Sequence, residues 1–186
     1  MKTTQFNIQF RRKREGRTDY SKRLFMLKAK RPRLVVRKSL RCLVLQVVEF
    51  DAKGDKIVAG FNTSSLKKHG WKYSTSSLPA AYLGGLMLGK LAQAKHLKEA
   101  VLDIGMLTSV KGSKIYAAVK GAIDAGLTIP CNKEMFPSED RISGKHIVDY
   151  SKSSKTSTQF NVLKNQNLCD IVKEFTTLKQ KIIKGN

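Results

Sequence analysis

The side chains in this sequence with the strongest chemical preference are cationic. Arg11-Arg12-Lys13-Arg14 is followed by Arg17, Lys22 and Arg23, and then by Arg33, Arg37, Lys38 and Arg41. Arginine offers a planar fork that fits phosphate oxygens and stacks on bases, while lysine supplies a mobile point charge. Tyr20, Trp71 and Tyr73 lie among these residues and the later Lys67, Lys68 and Lys72. Such interleaving suits the unstacked bases and phosphates of an irregular RNA. Core packing competes as a reading for each ring, for Tyr20 above all. Lys111-Gly112-Ser113-Lys114 stands at a predicted helix start. Its backbone N–H groups and two lysines suit one phosphate of a nucleic-acid backbone; an ordinary Gly-Ser helix cap is the other reading, and the residues leave both open.

Other chemistry finds less support. His69, His96 and His146 fall in different predicted elements, and none has a triad context. Cys42, Cys131 and Cys169 are odd in number and widely spaced, which argues against a disulfide framework and a zinc site. The phosphate-loop pattern G-x-x-x-x-G-K-[ST] is absent. A two-metal nuclease needs clustered carboxylates. Asp51 and Asp55 sit at a hairpin tip, Asp103 late in a strand and Asp124 at a helix end, and they do not assemble into such a cluster. Asp103 is expected to accept hydrogen bonds from a neighbouring loop. No metal and no cofactor is expected. A metal-dependent nuclease remains the enzymatic alternative, and a non-specific RNA chaperone is a third possibility.

The charge balance agrees with the cationic motifs. The 186 residues carry 36 Lys and Arg against 14 Asp and Glu, a net charge of +22. The hydrophobic share of 41% suffices for a core, so wholesale disorder is excluded. So large an excess repels itself in a compact state unless a polyanion neutralises it. It is also uneven: residues 1–41 hold 15 basic and 2 acidic residues, while residues 42–135 hold 12 and 7. That is the pattern of a basic arm on a more neutral body. No zinc-finger, zipper or aromatic-strand RNA motif is present, so DNA-groove reading is not indicated and shape recognition of folded RNA is the simpler reading. The N-terminus lacks an apolar signal core, and the uncharged stretch from Tyr73 to Gly89 is too short and polar to span a bilayer. The sequon Asn62-Thr63-Ser64 is read as chance, and the expected location is the reducing cytoplasm, away from membranes.

These residues need elements to position them. Residues 1–17 show no apolar period and are expected to be extended or disordered when free. Thr18 or Asp19 caps a short helix with Tyr20, Leu24 and Leu27 on one face. Leu34–Val36, Cys42–Phe50 and Lys56–Phe61 read as an antiparallel meander, with Asp51-Ala52-Lys53-Gly54-Asp55 as a hairpin signal. Residues 62–77 read as polar loop. Ser77-Leu78-Pro79 starts a helix reaching about Lys98. Gly84, Gly85 and Gly89 inside it imply close approach to the sheet or to a second helix. Ala100–Gly105 is a strand, Gly112–Gly126 a helix, and Leu127-Thr128-Ile129 a fifth strand stopped by Pro130. The expected fold is therefore α/β, a mixed five-stranded sheet of ribonuclease-H-like order with flanking helices. A basic N-terminal arm and a helical C-terminal tail complete it. The division is arm 1–30, body 31–135 and extension 136–186. In the extension, Arg141–His146 is loop or short helix and residues 151–158 are a linker. Leu168, Ile171, Val172, Phe175, Leu178 and Ile182 give an amphipathic helix.

Five segments together resemble a known family. They are RRKREGRTDYSKRL from Arg11, RPRLVVRKS from Arg31, AYLGGLMLG from Ala81, EAVLDIG from Glu99 and GSKIYAAVKGAIDAGL from Gly112. In this order they are similar to the large-subunit ribosomal protein family L-eighteen, in its archaeal form, over roughly Arg11–Ile147. The resemblance implies a ribonuclease-H-like body without nuclease activity. It also implies binding to 5S rRNA, anchoring of that RNA to the large-subunit rRNA in the central protuberance, and neighbouring large-subunit proteins as partners. The arm residues Arg11, Arg12, Lys13, Arg14, Arg17, Tyr20, Lys22 and Arg23 would line the RNA, with Arg33, Arg37, Lys38 and Arg41 near it.

Overall fold

The computed structural model of the protein describes residues 8–153 and 170–184. Two short helices come first, α1 (Arg11–Arg14) and α2 (Tyr20–Lys28). Strands β1 (Arg33–Lys38), β2 (Leu43–Glu49) and β3 (Lys56–Asn62) follow. A 3-10 helix (Thr63–His69) leads to α3 (Leu78–Ala94), β4 (Val101–Asp103) and α4 (Lys114–Asp124). After a short 3-10 turn come α5 (Glu139–Ser143), α6 (Lys145–Ser153) and α7 (Ile171–Lys184).

The sheet is mixed, in the order β3-β2-β1-β4. The first three strands are the expected meander, and β4 lies parallel to β1, pairing Arg33 with Val101 and Val35 with Asp103. The sheet has four strands, not five. Leu127–Ile129 makes a single parallel bridge, Thr128 to Glu99, ahead of β4 rather than along it. The Thr128 N–H donates to the Lys98 carbonyl at 2.8 Å and the Ala100 N–H to the Thr128 carbonyl at 3.0 Å. The segment is too short for more. Gly126, at φ +102°, closes α4 just before it, and Pro130 brings no N–H to a ladder just after.

Alternation along β1 and β2 sends Leu34, Val36, Leu43, Leu45 and Val47 into the core. That face is covered by α3, on which α4 packs, and α7 adds Ile171, Phe175, Leu178 and Ile182, with the Phe175 ring 5.6 Å from Tyr82. The amphipathic C-terminal helix is thus a packed element. Leu168 and residues 154–158 of the expected linker lie outside the described residues, and Ser151–Ser153 belong to α6. Helical structure also replaces the loop expected after β3. Asn62 caps the 3-10 turn by accepting from the Ser64 N–H at 3.0 Å, and Leu66 anchors it at 0% exposure. At α3, Ser77 is the cap and Pro79 sits in the first turn, as the sequence indicates.

The glycines of α3 serve two contacts. Gly84 faces Thr63 and Leu45, while Gly85 and Gly89 face α4 at Ala118, Ala122 and Ala125. A methyl group on Gly85 would fall on the Ala118 carbonyl oxygen, and one on Gly121 would fall on the Tyr82 carbonyl oxygen. The two backbones touch with no side chain between them. Gly85→Ala is therefore expected to destabilise the fold by about 2–3 kcal/mol in denaturant titration. Gly60→Ala, whose new methyl meets nothing closer than 3.7 Å, should shift stability by less than about 0.5 kcal/mol.

Candidate nucleic-acid interface

The sheet face away from α3 and α4 carries a chain of arginines and carboxylates. Arg33 is 3% exposed and Asp103 4%. The Arg33 guanidinium donates to Asp103 Oδ2 at 2.9 Å and to Asp55 Oδ2 at 2.6 Å. Arg37 donates to Asp103 Oδ1 at 3.1 Å and to the Asp103 carbonyl at 2.8 Å. The Gly105 N–H completes the Asp103 set at 2.8 Å, the loop contact expected for that carboxylate. Asp55 also holds Arg23 of α2, one Nη 2.9 Å from each oxygen. Two acids thus hold three arginines and tie the arm to the sheet. A cavity of about 620 Å³ remains between arm and sheet, lined by Arg12, Arg17, Phe25, Arg37 and Ile57 among others.

The arm itself rests on the surface. Arg11–Arg14 form one helical turn rather than an extended segment, closed by the Arg11–Glu15 pair at 2.7 Å, with Arg17 on the same carboxylate at 3.2 Å. Asp19, not Thr18, caps α2, accepting from the N–H groups of Ser21 and Lys22 at 3.0 and 3.1 Å. Neither helix has a buried residue. Tyr20 stays at the surface with its ring 5.4 Å from Phe10. Lys13 and Arg14 are exposed and, among the described residues, pair with no carboxylate.

A second group of cations gathers where β1 turns into β2. Lys38 and Arg41 are exposed there. The buried Thr75 hydroxyl donates to the Arg41 carbonyl at 2.6 Å, and next to it Lys114 donates to the Ser76 hydroxyl at 3.1 Å. The turn and the start of α4 therefore meet through Thr75-Ser76. Burial, and then the nearby charge of Lys38, push the Lys114 ammonium below the usual lysine range. Ser113 occupies the N-cap position of α4, but its hydroxyl makes no capping bond.

The remaining sequence-predicted positions divide. Lys67, Lys68 and Lys111 are exposed, and Lys72 pairs with Glu174 of α7 at 3.2 Å. Trp71 is a core side chain, 1% exposed, with its indole N–H donating to the Ser74 carbonyl at 3.2 Å and its ring edge-on to Tyr73 at 5.3 Å. Arg33 is likewise turned inward. Neither presents itself to a ligand, because each fills a site that only a buried side chain of its type can complete. Asp55 and Asp103, which organise this face, lie 22 and 70 positions from Arg33, so no local motif announces the pairing.

The acids offer no metal centre. Asp103 and Asp55 are taken up by arginines, Asp124 accepts from the Tyr82 hydroxyl at 2.7 Å, and Asp51 accepts from the Lys53 N–H at 3.2 Å. Burial and that carboxylate hold the Tyr82 phenol far above its usual range, so it stays protonated. Among the described residues no three His, Cys, Asp or Glu side chains come together as a metal site. No described helix is long and apolar enough to cross a membrane.

The chain is thus an α/β body with a cationic arm, and two carboxylates of its sheet face are engaged by its own arginines. Residues 4–98 and 90–132 match the family described as "Ribosomal large subunit proteins 60S L5, and 50S L18". The chain is 45% identical over 147 residues to the large ribosomal subunit protein uL18 of Korarchaeum cryptofilum (strain OPF8), covering 79% of this chain and 75% of that one. The chain belongs to this family of large-subunit ribosomal proteins, which is not a family of enzymes. The family-model match, residues 4–132, spans most of the arm, the whole sheet, α3 and α4, and stops before α5, α6 and α7.

Arg33 is expected to act through stability. Arg33→Ala leaves Asp103 buried without its closest cation and should cost about 3–5 kcal/mol, read from the denaturant midpoint of the RNA-free protein. Lys67→Ala should leave that midpoint where it is.

Proposed function

We propose that this protein binds 5S rRNA and helps to anchor it to the large-subunit rRNA in the central protuberance, beside neighbouring large-subunit proteins. The observation that carries this reading is a set of cations without carboxylate partners on a body of the ribosomal family. Lys13 and Arg14 of the arm, Lys38 and Arg41 of the turn, Lys67 and Lys68 of the 3-10 helix, and Lys111 and Lys114 at the start of α4 all lack such partners among the described residues. Phosphates relieve the mutual repulsion of such groups, and the released counterions favour binding. Arg11, Arg12, Arg17, Tyr20, Lys22, Arg23, Arg37 and Lys72 border the same surfaces and complete the RNA-facing set; Arg33 and Trp71 support it from within. The body is ribonuclease-H-like in this reading. The order β3-β2-β1-β4, with the Thr128 segment parallel beside the start of β4, supports that. Residues 1–30 act as the RNA-binding arm, 31–135 as the mount and 136–186 as an extension whose α5 and α7 pack on α3.

Purified protein is expected to retard labelled 5S rRNA in Mg²⁺ and leave it full-length, and an equal amount of unrelated folded RNA should not displace it. Shortened RNA, or equal displacement, would contradict the reading. A chain lacking residues 1–23 should lose most of this affinity yet keep a cooperative thermal transition, since neither arm helix buries a side chain.

A further inference from the structure

The turn between β1 and β2 places a large apolar side chain where turn chemistry asks for none. Leu40 and Arg41 are its two central residues, both at negative φ, so the backbone there accepts a leucine without requiring one. Leu40 is 98% exposed, more than any other large hydrophobic residue described. The backbone around it is tied down on both sides. The Ser39 N–H donates to the Cys42 carbonyl at 2.8 Å, the Ser39 hydroxyl donates to the same carbonyl at 2.9 Å, and the Cys42 N–H donates back to that hydroxyl at 3.1 Å. Arg41 is anchored through its carbonyl by Thr75. The Leu40 side chain therefore projects from a fixed turn into solvent. Around it stand Lys38, Arg41 and, through Ser76, Lys114, with no carboxylate partner for any of them among the described residues.

A lone exposed leucine is ordinary on a protein surface. One held at the tip of a hydrogen-bonded turn, between Lys38 and Arg41 and with Lys114 near Lys38, is a different arrangement. The cations select an anion, and the apolar tip selects a partner whose surface alternates charge with exposed apolar faces. An RNA strand at an unpaired nucleotide has that character: phosphates at a regular spacing, with a base or sugar face between them. Leucine is among the side chains that proteins wedge against unstacked base steps.

We propose that Leu40, with Lys38, Arg41 and Lys114, forms a wedge site for an unpaired RNA nucleotide, the cations holding the phosphates on either side and Leu40 packing on the exposed base or sugar between them. The site joins the turn to the start of α4 and is separate from the arm. It rests on the RNA-binding reading above and adds a contact that is not electrostatic.

The test is 5S rRNA binding by the full chain at several salt concentrations, with Leu40→Ala, Leu40→Met and Lys114→Met. Leu40→Ala should weaken binding roughly five- to tenfold without changing the salt slope or the thermal midpoint. Leu40→Met should bind as the wild type does. Lys114→Met should reduce the magnitude of the salt slope by about 0.7–0.9. Wild-type affinity in Leu40→Ala overturns the wedge and leaves the RNA-binding reading intact. Wild-type protein that does not prefer 5S rRNA to unrelated RNA overturns both.

Discussion

Asp103 and Asp55 each hold two arginines, and the organisation of the molecule depends on that sharing. Asp103 ends β4, so its bonds to Arg33 and Arg37 lock the short parallel strand onto β1. Asp55 opens β3 and reaches Arg33 on one side and Arg23 of α2 on the other, which sets the arm against the sheet. Charges removed from water this far need partners: both Nη groups of Arg33 find a carboxylate, while its buried Nε finds none. The same bonds withhold these carboxylates from any cation. The open face of the mixed sheet thus has Asp55 and Asp103 neutralised by the protein's own arginines.

The sequence as a whole has too few acids to balance its cations, 14 against 36 lysines and arginines. Exposed lysines and arginines of the arm, the β1–β2 turn, the 3-10 helix and the start of α4 contribute to the net charge of +22. A free monomer with this surface works against its own Coulomb repulsion, and a polyphosphate fold removes that burden. Membership of a large-subunit ribosomal family supplies the setting in which such a fold is at hand. In the proposed reading two sets of cations divide the work: Arg23, Arg33 and Arg37 hold the carboxylates of the sheet face, and the exposed cations without carboxylate partners are the ones offered to phosphate.

Much of this was legible in the sequence, and the exceptions have physical causes. The meander, the Ser77 and Asp19 caps, Gly126 as a helix stop and the amphipathic face of α7 depend on neighbours a few residues away, which local patterns record. The glycines of α3 announced a close approach correctly, because their cost in a helix needs a reason. Arg33 and Trp71 read as surface residues because type and company suggest RNA, while burial is decided by partners far along the chain. The 3-10 helix was missed because Leu66 is its one apolar anchor among polar residues. The Leu127–Ile129 strand was over-read: its residue types suit a strand, but Gly126 and Pro130 leave room for a single bridge.

The central claim is that the outward cations without carboxylate partners are neutralised by RNA phosphates. Its most direct measurement is the dependence of the 5S rRNA association constant on salt for the full chain, plotted on logarithmic axes. If Lys13, Arg14, Lys38, Arg41, Lys67, Lys68, Lys111 and Lys114 each meet a phosphate, the slope should be roughly −6. A slope of about −1 or shallower would mean that these charges stay in solvent when RNA is bound, and would contradict the account.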